Sequence, residues 1–221
     1  MNFTCNGAIV EIAIRHMVVA GWTGRDATAI RHHIEELAAI GVAPPSATPL
    51  YYRVAAALLT QAGRIEAVGP DSSGEVEPMI IQSGGRRWLG LGSDHTDRKL
   101  EAHSVALSKQ VCAKPCAAEI WDWDSVADHL ERIELESWID EGAGWQPYQA
   151  GTLAAIRPLA DLMAGAEFEA LAQEGAAMMC GTFGAKGGVR PAARFRMQMR
   201  DPTSGRSISH DYATATLPEV A

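Results

Sequence analysis

The chain has 221 residues, 47% of them hydrophobic and 21% charged. These are globular proportions, enough to bury a full core without metal or disulfide staples, and they exclude disorder as a whole-chain state. The sum of 19 basic against 27 acidic residues is −8. With no basic face to collect phosphates, nucleic acid is not an expected partner.

Residues 8–20 read as a first strand, because Val10, Ile12 and Ile14 alternate with Glu11, Ala13 and Arg15. Glu11, Arg15 and His16 also interrupt the apolar character that a signal peptide needs. Asp26 or Thr28 is placed to cap a helix running to about Ile40, with Gly41 as its stop. Ile30, Ile34, Leu37 and Ile40 share one face of it. A proline-rich connector over 42–49 leads to Leu50–Val54, a strand or the start of a short helix. From residue 63 the pattern becomes strand and turn. Residues 65–68, 76–82 and 87–91 are short strands, with Ser83-Gly84-Gly85 as a hairpin turn. Residues 96–108 read as helix, 117–120 and 133–139 as strands, and 124–131 as a short helix. Residues 152–163 and 167–174 are helical. The stretches 177–180, 193–200 and 207–216 return to strand, the last two joined by a turn at Asp201–Gly205.

The order is irregular rather than βαβα, so the expected class is α+β with a mixed sheet. Residues 1–62 form an N-terminal strand, helix and linker packed on a main unit spanning 63–221, all within one compact domain. The chain has no run of 18 apolar residues, so no membrane span is expected. Cys5, Cys112, Cys116 and Cys180 form no CxxC pair, which suits reduced thiols in the cytoplasm.

Three segments carry chemistry. In Glu75-Val76-Glu77 a strand points both carboxylates to one face, since i and i+2 share a side. Two like charges so placed are costly unless one is protonated or a cation lies between them, and a hard divalent ion suits oxygen ligands. The bland reading is a solvated strand face. Next, an unbroken polar run from Ser93 to Arg98 follows an apolar strand. Either aspartate in it can be a simple helix cap, but Asp94 can instead complete a three-carboxylate, open-faced site with Glu75 and Glu77. Lys109 is by default a surface residue. Beside a metal it would hold an anionic group or stabilise an enolate oxygen.

Taken in order, these segments resemble the fumarylacetoacetate hydrolase family. That family has a strand with E-x-E, then D-x-T-x-R, then a K-(S)-x-x-x-x-P stretch, then G-T-P-x-G. The matching residues are Glu75-Val76-Glu77, then Asp94 to Arg98, then Lys109 with Cys112 and Pro115, then Gly181-Thr182-Phe183-Gly184. An H-x-x-E helix and an aromatic-basic pair precede them, as His33 with Glu36 (or His32 with Glu35) and Tyr52 with Arg53. Departures are Pro78 after the second glutamate, a short interval from Glu77 to Asp94, and Phe183 in place of proline.

The resemblance implies the family's mixed β-sheet roll with short peripheral helices, a homodimer, and Mg²⁺ or Mn²⁺ held by Glu75, Glu77 and Asp94. It also implies chemistry on a small keto acid or β-diketone through a metal-chelated enolate, by C–C hydrolysis, decarboxylation or hydration. In that scheme His33, oriented by Glu36, activates water, and Lys109 stabilises oxyanion charge. Tyr52, Arg53, Arg98 and Thr182 contact the substrate.

Three rivals remain open on sequence. His95-Thr96-Asp97 with His210 has the elements of a non-haem iron facial triad. Cys112 between Lys109 and Lys114 has the flanks of an activated thiol. The third rival is a non-catalytic binding protein on the same fold.

Overall fold

The Ser83–Arg86 turn sets the geometry on which the site depends. Gly84 and Gly85 adopt φ of 58° and 76°, as a tight hairpin turn matched to strand twist requires. It pairs Val76–Ser83 with Arg86–Ser93 in unbroken antiparallel register from Ser83↔Arg86 to Val76↔Ser93. The computed structural model describes residues 1–28, 30, 31, 34, 35 and 44–220. His32, His33, Glu36 and the expected helix end at Ile40–Gly41 lie outside the described residues.

That hairpin forms the middle of a six-stranded mixed sheet. In order across it lie Trp121–Asp122, Arg86–Ser93, Val76–Ser83, Ala176–Met179, His16–Gly21 and Leu50–Val54. Ala176–Met179 runs parallel to His16–Gly21 and antiparallel to Val76–Ser83. A second sheet has five strands, ordered Trp145–Thr152, Glu134–Asp140, Arg194–Arg200, Ser207–Leu217 and Arg64–Val68. The main core lies between the sheets, where Ile80, Leu89 and Leu91 meet Leu135, Tyr148, Met197 and Tyr212. Each such side chain, fully removed from water, contributes roughly 1.5–3 kcal/mol. A smaller core on the far face of the six-stranded sheet packs Met17, Val19, Met79 and Ile81 against Phe3, Cys5 and Ile12. Central strands covered on both faces read as continuous apolar runs, which is why Val76–Ser83 shows little alternation.

Among the described residues, the helices with both ends defined are short and peripheral: Arg98–Glu101, Val105–Gln110, Leu159–Gly165 and Phe168–Ala172, with several short 3₁₀ segments. Mixed sheets with few short helices are the α+β architecture expected. Among the described residues no helix is long and apolar enough to cross a membrane.

Several elements differ from the sequence reading, each for a local reason. The expected strand over 8–20 is two, Ala8–Glu11 and His16–Gly21. The first folds back on Asn2–Cys5 because Asn6 and Gly7, at φ 51° and 77°, close a hairpin of their own. The helix over 96–108 is broken by an internal cap, where the Ser104 side chain accepts from Leu107 N and starts a second helix. Pro158 interrupts 152–163 and delays the helix to Leu159–Gly165. Residues 117–120 build no strand, because Ala117 N donates to Leu91 O and Ile120 N to Thr4 O, on two different partners. The Trp145–Thr152 strand was not among the expected elements, and it contains Pro147. It lies at a sheet edge, where proline is tolerated, beside a register shift at Ser137/Trp138.

Candidate metal centre

The hairpin ladder brings the three predicted carboxylates together. Glu75 precedes the Val76–Ser83 strand and Glu77 is its second residue, while Asp94 leaves the end of the facing strand. Asp94 N donates to Glu75 O at 3.0 Å, which extends the pairing by one rung. Ligand oxygens of Glu75, Glu77 and Asp94 all lie within 4.8 Å of one another. Among the described residues no other cluster of three or more acidic, histidine or cysteine side chains has this geometry.

Positive charge is packed around them. Lys109, on the Val105–Gln110 helix, contacts Asp94 Oδ2 through its Nζ, and both groups are buried. Lys114 is fully buried, donating to His95 O at 2.5 Å with its Nζ 3.2 Å from Asp94 Oδ1. That Oδ1 is in ion-pair range but accepts no hydrogen bond of good geometry. Arg98 lies among three partners, its Nη2 in ion-pair range but without a hydrogen bond of good geometry. Its Nε donates to Ser73 Oγ at 2.7 Å, Nη1 lies 3.0 Å from Glu101 and Nη2 3.2 Å from Glu75.

Burial pushes the Glu77 carboxyl well above the usual range, and the adjacent Asp94 charge adds to this. Burial acts the same way on Asp94, but Lys109 and Lys114 outweigh it and hold Asp94 below the usual carboxylate range. Without an added cation, ionisation of Glu77 beside Asp94 is disfavoured. Burial opposes the charge on Lys109, but Asp94 more than compensates and raises it. Lys114 is lowered, mainly by its burial.

A divalent ion fits this donor set. Three residues with hard oxygen ligands converge, Asp94 Oδ1 is a buried oxygen lacking a hydrogen bond, and burial beside Asp94 disfavours ionised Glu77, a conflict that a cation there would relieve. Glu75 has a side chain 16% exposed and forms the open edge of the cluster.

The other predicted residues divide. The Tyr52 ring lies 5.6 Å from Lys109 Nζ, on the face of the sheet that carries Glu77. Strand alternation sends Arg53 to the opposite face, where its Nη2 meets His16 Nδ1 at 3.1 Å. Thr182 borders the cluster, but its hydroxyl donates to Val76 O at 2.7 Å and so has no hydrogen to offer a ligand. Gly181 N donates to Glu77 Oε2 at 2.7 Å.

Burial and bonding weigh against the histidine and cysteine alternatives. Both ring nitrogens of His95 are engaged, by Tyr212 Oη at 3.0 Å and Ser72 Oγ at 2.9 Å. Burial, with Lys114 and Arg98 nearby, lowers it to about 3, so the ring is neutral. Asp97 caps the Arg98–Glu101 helix by accepting from Leu100 N. Among the described residues no facial triad forms at His95 and Asp97. Cys112 is buried, and burial pushes its thiol up to about 11, the reverse of an activated nucleophile.

Lys114 and Gln149 were not among the predicted residues. Nothing in their local sequence marks them, since a lysine or glutamine on a strand is ordinarily a surface residue.

Residues 20–212 match the family described as "Protein of unknown function (DUF2848)". The chain belongs to that family. No curated protein matches it. Among solved structures, this DUF2848 chain is similar to a 2-keto-3-deoxyarabinonate dehydratase, with TM-score 0.70 and 12% identity over 93% of this chain and 75% of that one. It is also similar to 2-keto-3-deoxy-D-arabinonate dehydratase complexed with magnesium and 2,5-dioxopentanoate, with TM-score 0.61 and 10% identity over 93% and 74%. Cg1458 matches with TM-score 0.61 and 10% identity over 94% and 77%. The DUF2848 chain thus has the mixed-sheet roll of the fumarylacetoacetate hydrolase type, with short peripheral helices.

Proposed function

We propose that this protein is a divalent-cation-dependent hydrolase or lyase of the fumarylacetoacetate hydrolase superfamily, acting on a small keto acid or β-diketone. The observation that carries this reading is the convergence of Glu75, Glu77 and Asp94 within 4.8 Å, with Lys109 on Asp94. These carboxylates would hold Mg²⁺ or Mn²⁺, which would polarise a substrate carbonyl and favour the enolate form. A neighbour of the same fold, a keto-acid dehydratase complexed with magnesium and 2,5-dioxopentanoate, supports the substrate class.

The chain's own groups do the rest. Asp94 stays ionised because Lys109 and Lys114 flank it. Arg98 fixes Glu75 from one side, so the open edge of the cluster is held in one geometry. Lys109 keeps an ammonium beside the site and Tyr52 covers it, a place where substrate carboxylate or oxyanion charge would be met. In this reading His33 with Glu36 is the general base, and the family resemblance also implies a homodimer, which sedimentation would measure.

The test is calorimetric titration with Mg²⁺ and Mn²⁺, followed by assay of the loaded protein on a panel of 2-keto acids and β-diketones. Heat of binding with metal-dependent turnover is expected. No uptake of either ion at millimolar concentration would sink the reading. Uptake without turnover would favour a binding protein on this fold.

A further inference from the structure

We propose that Gln149 is a positioning residue that ties the Thr182 loop to the backbone between the two glutamates, so that carboxylates and loop are held as one body. The inference rests on the metal reading above.

Gln149 is 1% exposed on the Trp145–Thr152 strand, and its amide uses four hydrogen bonds. Oε1 accepts from Val76 N at 3.0 Å and from Ser137 Oγ at 3.0 Å. Nε2 donates to Thr182 Oγ1 and to Phe183 O, each at 2.8 Å. The orientation is chemically forced, because Val76 N–H requires an acceptor and Phe183 O a donor. Thr182 Oγ1 then donates to Val76 O at 2.7 Å and closes the circuit. Val76 is the residue between Glu75 and Glu77, and both its N–H and its C=O are held by this one loop-to-strand link. Gly181 N, on Glu77 Oε2, adds a further tie from the same loop.

A second contact pins the loop from the same strand. A Cβ on Gly151 would lie 2.5 Å from Phe183 Cδ1, so the ring packs directly on that glycine. Phe183 stands where the sequence departs from G-T-P-x-G, and here its ring is seated against Gly151. An apolar side chain in place of Gln149 would leave Val76 N–H and Phe183 O buried without partners. The amide thus positions groups it does not share with any ligand.

The experiment uses the full chain, with Mn²⁺ as the metal probe. Gln149→Met keeps the volume and removes all four bonds. We expect its Mn²⁺ affinity to fall about tenfold and the electron paramagnetic resonance spectrum of bound Mn²⁺ to broaden. Wild-type affinity and line shape in that variant would overturn the inference alone. Absence of Mn²⁺ uptake by the wild type would remove the metal reading, and the inference with it. Should Gln149→Met not fold, Gly151→Ala decides. It displaces Phe183, whose carbonyl accepts from the Gln149 amide, without altering a carboxylate or Gln149 itself. Expected is Mn²⁺ affinity lowered several-fold with a broadened line shape, and wild-type affinity and line shape in this variant would overturn the proposal.

Discussion

At Glu77 and Lys109 the same cluster responds in opposite ways to loss of charge. Glu77 is 3% exposed, and burial and Asp94 oppose its ionisation. Glu77→Gln keeps the shape and an acceptor for Gly181 N–H while removing the like-charge conflict. In metal-free buffer its stability in urea should lie within about 1 kcal/mol of wild type, or above it. Its Mn²⁺ affinity should fall at least about tenfold by calorimetry. Lys109→Met instead strips a buried carboxylate of its partner and should cost about 3–5 kcal/mol in the same denaturation experiment. Equal losses in the two variants would contradict this charge assignment.

Among elements, the Asp201 turn has the clearest pH signature. Asp201 is fully buried between the Arg194–Arg200 and Ser207–Leu217 strands. It accepts from Thr203 N at 2.9 Å, Ser204 Oγ at 2.6 Å and His129 Nε2 at 3.1 Å. Burial acts against ionisation, but these hydrogen bonds outweigh it and lower the carboxyl to about 2 from 3.8. A depressed folded value means stability present above the unfolded pKa and lost as pH falls from about 4 through about 2. The shift corresponds to about 2 kcal/mol. Wild type should therefore exceed Asp201→Asn in urea stability at pH 5, and the gap should narrow by about that amount near pH 2. A gap independent of pH would show that the turn does not depend on the ionised form.

At the scale of the whole molecule, the two sheets carry the site as a shared load. The carboxylates come from the hairpin of the six-stranded sheet, Lys109 from a helix beside it, and Gln149 from the edge of the other sheet. An ion bound only by the folded chain stabilises it by about 2.7 kcal/mol at a hundredfold excess over Kd. For a chain of this size that is a rise in Tm of about 5–10 °C. The rise should vanish with a chelator and shrink by about half or more in Glu77→Gln; a Tm indifferent to Mg²⁺ and Mn²⁺ would argue against a site built for a cation.

The sequence by itself determined the α+β class, the glycine hairpin at 83–86 and the acidic trio. Those follow from short-range rules: pleat alternation aligns Glu75 with Glu77, and two positive-φ glycines set the register that puts Asp94 opposite. Lys109 was legible only through the order of motifs around it. Tertiary structure alone decided which charges are buried and with whom. Lys114 is buried because its strand pairs with Leu59 and its ammonium reaches His95 O. Which partner Arg53 meets, His16, follows from where its strand docks on His16–Gly21. Gln149 meets Val76 only when the second sheet closes over the first. A residue's charge and size are local properties, but its desolvation and its hydrogen-bond partners depend on segments far away in the chain, and these become known only when the sheets pair and pack.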